Sequence, residues 1–150
     1  MTRDLKTYTV AAPAPVTLTG RFVTLEPYDP ATHLQALWDA LGGAESINPL
    51  LKYFPNDDFA DVAAFGDWLE SARLNSGFVT LVSRDTTSGE VVGMASYMRP
   101  DPKNGVVEVG SVAHGAAMKR SPLSTEVHYL LARHVLEDLG YRRYALRLHL

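Results

Sequence analysis

Lys119 and Arg120 are followed at once by Ser121 and Pro122. Serine is a favoured helix N-cap, and proline suits the first helical position because its missing N–H would have lacked a helical partner there. A helix therefore starts where the basic pair ends. The N–H groups of such a start, the positive end of the helix dipole and two cations together suit an anionic, phosphate-bearing ligand. Two solvated loop charges in front of an ordinary surface helix have the same pattern, so spacing alone leaves both readings open.

The elements around this junction can be read from periodicity. Leu123, Val127, Leu130, Leu131, Val135 and Leu139 recur at helical spacing, with Glu126, Arg133, Glu137 and Asp138 on the wetter side and Gly140 as the stop. Val106 to Ala113, just before it, is a β-rich run. Upstream, Phe78 to Ser83 and Val91 to Met98 are two more such runs, separated by the polar turn DTTSGE, and the three predict an antiparallel meander. Arg21 to Glu26 alternates as a first strand. Asp29 and Pro30 open a helix that His33, Leu34, Leu37, Trp38 and Leu41 carry to the stop at Gly42 and Gly43. A loop with Pro49 and Pro55 is expected next, then a helix from Asp58 to Leu74 with Val62, Phe65, Trp68, Leu69 and Ala72 on one stripe. Tyr144 to Leu150 reads as a last strand.

The first 18 residues read as an extended tail docked through Tyr8, Val10, Val16 and Leu18, and residues 19–150 as a single domain. The expected class is α+β, in mixed α/β layers: a central, mostly antiparallel sheet with helices on both faces. At 150 residues, 46% of them hydrophobic, the chain can bury a substantial core. A net charge of −3 argues against a general nucleic-acid binder, which needs a broad basic surface, so any anion site must be local. With no cysteine there is neither disulfide framework nor thiolate metal site. No apolar run approaches the ~20 residues of a membrane span, and the N-terminus lacks a signal-peptide core, so a soluble cytoplasmic protein is expected. Of a metal hydrolase, His114, His128, His134 and Glu126 would be the ligands. His128 and His134 are six apart, which is not the spacing of an HExxH site. A serine hydrolase lacks its G-x-S-x-G elbow.

The segments GRFVTLEPYDP, FADVAAFGDWLES, GEVVGMASYMRPDPKNGVVEVGSV and MKRSPLSTEVHYLLARHVLEDLGYRR follow one another in an order that resembles the GCN5-related N-acetyltransferases (GNAT), in their RimJ/RimL-type branch, from Gly20 to Arg143. The resemblance implies acetyl transfer from acetyl-coenzyme A to a primary amine, such as a protein N-terminus or a small amine, by direct attack and without a metal. It assigns the pyrophosphate loop to Lys119, Arg120, Ser121, Pro122, Leu123 and Ser124, with Thr125 just beyond, although the family's loop glycines are absent here. The family's fourth strand, which takes the pantetheine arm, corresponds to Val106 to Ala113. Val109, Gly110, Ser111 and Val112 become cofactor-lining backbone, with Gly110 and Gly115 allowing close approach.

Glu108 matches the carboxylate that in this family removes a proton from the acceptor. Apolar neighbours Val106, Val107 and Val109 would raise its pKa toward working pH. The alternative is a solvent-face Glu paired with a cross-strand Lys or Arg. Tyr53 and Phe54, on a loop, are the candidate acceptor walls, whereas Trp38 and Trp68 at helical spacing belong more readily to the core. Family members continue past the fifth strand with another helix and two strands. A chain stopping at Leu150 is accordingly expected to be C-terminally short, with an exposed strand edge that a homodimer could cover. A truncated, non-catalytic protein that binds coenzyme A or a partner is the alternative function.

Overall fold

Six strands form one sheet whose spatial order follows the chain: β1 (Leu18–Thr19), β2 (Val23–Pro27), β3 (Val79–Asp85), β4 (Val91–Asp101), β5 (Val106–His114) and β6 (Arg143–Leu146). The computed structural model describes residues 10–51, 59–115 and 122–146, without the side chains of 48–51, 111 and 146. Neighbouring strands are antiparallel except β5 and β6, which run parallel. A parallel neighbour needs a long crossover, and α4 (Pro122–Arg133) supplies it. The mixed α/β fold is thus the one the sequence predicts, with β5 as the family's fourth strand because the two-residue β1 precedes the rest.

Helices cover both faces. On one, α4 presses Leu123, Val127, Leu130 and Leu131 onto Val23, Leu25, Tyr97, Val107 and Val109. On the other, α1 (Pro30–Ala40) and α3 (Val62–Ser76) bury Leu37, Phe65 and Leu69 against Val82, Met94 and Ala113. Each fully buried side chain of this size contributes on the order of 1.5–3 kcal/mol relative to exposure. Phe59 packs edge to face on Phe65 at 5.4 Å, Trp38 tilts against Phe65 at 5.8 Å and Trp68 stacks on it at 6.5 Å. Trp38 and Trp68 are therefore half-buried and packed against the core.

Local chemistry explains the helix limits. The Asp61 carboxylate accepts from the Ala64 amide at 2.9 Å, capping α3, and Gly77 ends it at φ +68°. Asp29 begins α1 differently: its carboxylate accepts from the Thr32 hydroxyl, and its own N–H donates to His33 Nδ1. An N–H can only donate, so that nitrogen is the acceptor and the His33 proton sits on Nε2, facing Glu26 at 2.9 Å.

Four expectations need correction. The helix expected from Asp58 to Leu74 begins at Val62, after residues 59–61 that are not helical, and runs to Ser76. Between Gly43 and Leu51 the chain is not loop but a short helix, α2 (Ala44–Leu51), anchored by fully buried Ile47. Its Pro49 falls in the later half of an eight-residue helix. The first regular strand begins at Val23, because Arg21 and Phe22 belong to the turn after β1. The last helix does not run evenly to Leu139: His134–Asp138 is a π-helical turn. The Tyr97 hydroxyl donates to the Leu131 carbonyl at 2.6 Å, occupying an oxygen that a regular helix would offer to Val135, and the Leu139 N–H reaches back five residues to His134. Of the N-terminal segment, Val10 is held by Pro102 O at 3.1 Å, and Val16 and Leu18 lie on the α4-side core. Tyr8 lies outside the described residues.

Candidate active site

Glu108 stands on β5 between buried Val107 and Val109, on the opposite face of the sheet from α4. Its carboxylate accepts from the Arg99 guanidinium at 3.1 Å; the Glu108 side chain is 19% exposed and that of Arg99 58%. The cross-strand pairing weighed from the sequence is therefore real. A backbone irregularity creates it. The β4–β5 register steps from Met98↔Glu108 to Asp101↔Val106, three residues against two, and Arg99 sits in that bulge at φ +47°. This left-handed conformation is unfavourable for a side chain as large as arginine, and such strain collects at functional sites.

A second bulge lies farther along β5. Met94↔Ala113 and Ser96↔Gly110 set two steps on β4 against three on β5, so an extra residue is inserted around Ser111 and Val112. Val109 and Val112 consequently both pack on the α4 side, while Ala113 joins the other core. Gly110 pairs with Ser96, whose hydroxyl meets Thr80 Oγ1 at 2.8 Å. The described part of the β5–β6 ladder runs from Val106↔Arg143 to Val109↔Leu146, the last described residue.

After His114, Gly115 and an undescribed stretch, α4 begins at exposed Pro122, with Leu123 buried and Thr125 exposed. The positive end of α4 thus follows the C-terminal end of β5 by a few residues. Lys119, Arg120 and Ser121 lie outside the described residues, as do Tyr53 and Phe54. Gly115 has a role the sequence did not reveal. A Cβ there would sit 2.3 Å from the Ala40 carbonyl oxygen, so the glycine is needed where β5 passes the end of α1. Close approach to protein backbone, rather than to a cofactor, accounts for it.

Sequence reasoning also missed a histidine pair. His114 and His128, fourteen positions apart, meet with ring centroids at 5.7 Å at the seam of β5 and α4. Both ring nitrogens of His114, and Nδ1 of His128, are buried without a hydrogen-bond partner among the described residues. Burial, and secondarily the charge on His128, lowers the His114 pKa to about 4; burial lowers that of His128 as well. Spacing offered no signal, since one residue is on a strand and the other on a helix. The other two residues weighed for a metal centre serve elsewhere: Glu126 accepts three backbone N–H groups, and His134 pairs with Asp138 at 3.0 Å. Among the described residues no group of three or more His, Cys, Asp or Glu is arranged to hold a metal, and no helix is long and apolar enough to cross a membrane.

No protein-family model and no curated protein matches the sequence. Solved structures do match. A GCN5-related N-acetyltransferase from Brucella melitensis superposes with a TM-score of 0.80 at 32% identity, over 93% of this chain and 63% of that one. A GNAT-family protein from Chromobacterium violaceum gives 0.79 at 29% identity, over 92% and 68%. A GNAT-family acetyltransferase from Bacillus anthracis, 10% identical over 82% and 68%, gives 0.60 and shows the fold alone. The chain spans slightly less than two thirds of the length of the Brucella protein, 63%. Its structural neighbours are GNAT acetyltransferases, and it has their fold.

Proposed function

We propose that the chain is an acyltransferase of the GNAT superfamily, of the RimJ/RimL type, that moves acetyl from acetyl-coenzyme A to a primary amine by direct attack. One observation carries the reading. In a fold shared with acetyltransferases, one segment carries in sequence order a carboxylate on β5, a bulge around Ser111 and Val112 and the start of α4. Acetyl-coenzyme A fits the residues present. Exposed Pro122 and Thr125 leave the start of α4 open, and β5 carries a bulge around Ser111 and Val112. Bound there, the coenzyme supplies an acetyl thioester for an amine to attack.

The protein's own groups have three tasks. Lys119 and Arg120, with the residues from Ser121 to Thr125, hold the diphosphate through charge and the helix dipole. The backbone from Val109 to Val112 lies along the pantetheine arm. Glu108, directly or through a water, takes the proton that the acceptor nitrogen sheds, since only a neutral amine is nucleophilic. Arg99, paired with that carboxylate at 3.1 Å, keeps it oriented until the amine arrives.

Calorimetry with coenzyme A, paired with a thiol-release assay using acetyl-coenzyme A and primary amines, tests the proposal. Binding with amine-dependent thiol release is expected, and the double change Lys119→Ala, Arg120→Ala should weaken coenzyme binding about tenfold, on the order of 1.4 kcal/mol. Absence of binding would refute the proposal. Binding without thiol release would mark a coenzyme-binding protein that does not turn over.

A further inference from the structure

We propose that the acceptor is a free α-amino acid, recognised by Glu108 and Arg99 together: the Glu108 carboxylate takes its amino group and the Arg99 guanidinium its α-carboxylate. The proposal rests on the acetyl-transfer reading and gives it a substrate class.

Arg99 is held where an arginine is poorly suited. It sits in the β4–β5 bulge at φ +47°, a left-handed conformation that large side chains avoid, and Pro100 after it biases the residue further toward extended backbone. Strain of this kind persists only where the surroundings impose it, and it collects at ligand clamps. What it achieves here is placement. The guanidinium meets Glu108 across the two strands, and the side chains of both are open to solvent, 58% and 19% exposed. Both members of the pair are thus accessible to a dissolved molecule.

The pairing leaves donors over. Nη1 alone is engaged, by Glu108 Oε2 at 3.1 Å and by the Met98 sulfur at 3.7 Å, while Nε and Nη2 have no acceptor among the described residues. Asp101, two residues on, is occupied within its own turn: its carboxylate accepts from the Asn104 N–H at 3.4 Å and from the Asn104 side-chain amide at 2.8 Å. An arginine fork with an unused edge matches a carboxylate, which can accept two parallel N–H bonds.

Charge decides the class. Opposite charges side by side on the protein complement a ligand with opposite charges side by side, and an α-amino acid carries its ammonium and carboxylate on one carbon. A protein N-terminus offers no such pair, because its α-carboxyl is tied up in a peptide bond. A polyamine would set a second cation against Arg99. Binding exchanges partners: the ammonium comes to Glu108 as the guanidinium turns to the carboxylate. As the N–C bond forms and the thioester C–S bond breaks, the ammonium gives up two protons, one to Glu108 and on to water, the other to the departing sulfur.

The thiol-release assay with acetyl-coenzyme A, run on each common amino acid and its α-amide, tests the proposal, since the amide lacks only the negative charge. The best amino acid should exceed its amide about ten- to a hundredfold in kcat/KM, the range of charge-assisted hydrogen bonds. Arg99→Gly, which suits φ +47°, should bring that ratio close to unity by raising the KM of the amino acid, without lowering the melting temperature or coenzyme affinity. Arg99→Lys, which keeps the charge without the fork, should retain part of it. In ¹⁵N-labelled protein, with and without coenzyme A, amino acids added singly should shift the Arg99 Nε signal where their amides do not. Amides used as well as amino acids, turnover of polyamines alone, a ratio untouched in Arg99→Gly, or an Nε signal that no amino acid moves would each overturn the proposal. A protein that fails to bind coenzyme A ends the acetyl-transfer reading, while the Nε signal still decides whether the pair takes an amino acid.

Discussion

As the proposed base, Glu108 must be reachable by an incoming amine. Arg99, whose guanidinium holds the carboxylate at 3.1 Å, is 58% exposed and so able to withdraw. Glu108→Gln should therefore lower kcat/KM by roughly 10²–10⁴ while coenzyme affinity stays level, the usual size of a general-base contribution. Normal turnover would remove Glu108 from the mechanism. Arg99→Ala, which removes the ion pair, should lower kcat/KM while coenzyme affinity stays level, and an unchanged kcat/KM would mean that the ion pair does not act on catalysis. The sequence weighs a catalytic Glu108 against a cross-strand pairing with a cation, and the structure shows the pairing. What hides the outcome is the left-handed φ of Arg99, a bulge geometry that no residue type in RPDPKNG announces.

Among the elements, α4 has to be set against the sheet so that its first turn faces the end of β5, and Glu126 provides the fastening. Its carboxylate accepts from the amides of Arg21, Phe22 and Val23 at 3.0, 2.6 and 2.8 Å, tying the helix to the β1–β2 turn. Gly20 makes the room: a Cβ there would lie 2.2 Å from Glu126 Oε1 and 2.9 Å from Leu130 Cδ1. Gly20→Ala and Glu126→Ala should each destabilise by about 1–3 kcal/mol, through overpacking and through stranded amides. Because both release the same clamp, the double variant should lose clearly less than the sum, measured as a double-mutant cycle of urea unfolding. Strict additivity would show that the two act apart. Elements with local signals were legible, as Pro30 and Gly42 bracket α1 in adjacent residues. α3 was legible as a stripe though not in its limits, since the expected start at Asp58 gives way to the Asp61 cap and the end lies at Gly77. α2 was not, since Pro49 reads as a breaker until Ile47 is seen buried. The π turn was not either, because its cause, the Tyr97 hydroxyl on Leu131, comes from 34 residues away.

For the molecule as a whole, two helix layers grip one sheet, and the α4 layer contains the buried histidine pair, so its hold should depend on pH. Folding lowers the His114 pKa from 6.5 to about 4 and lowers that of His128 in the same direction. The native state thus favours neutral imidazole. Above pH 6.5 neither state is protonated and the pair has no effect. As pH falls below 6.5 the unfolded chain takes up protons first, and stability drops until the native His114 titrates near pH 4. For His114 the loss approaches about 3 kcal/mol at 1.36 kcal/mol per pH unit, and His128 adds to it. Glu26 acts in a lower window. Burial tends to raise its pKa, but hydrogen bonds from His33 and Arg84 outweigh this and hold it below its usual value, so its contribution fades only below pH 4.5. Between pH 7 and 5, urea midpoints of the wild type should fall steadily, whereas His114→Phe, which keeps a ring in the seam but cannot charge, should show a much shallower slope. Parallel slopes would exclude the pair as the source. Because β5 and the start of α4 meet at this seam, coenzyme affinity should decline over the same pH interval and decline less in His114→Phe.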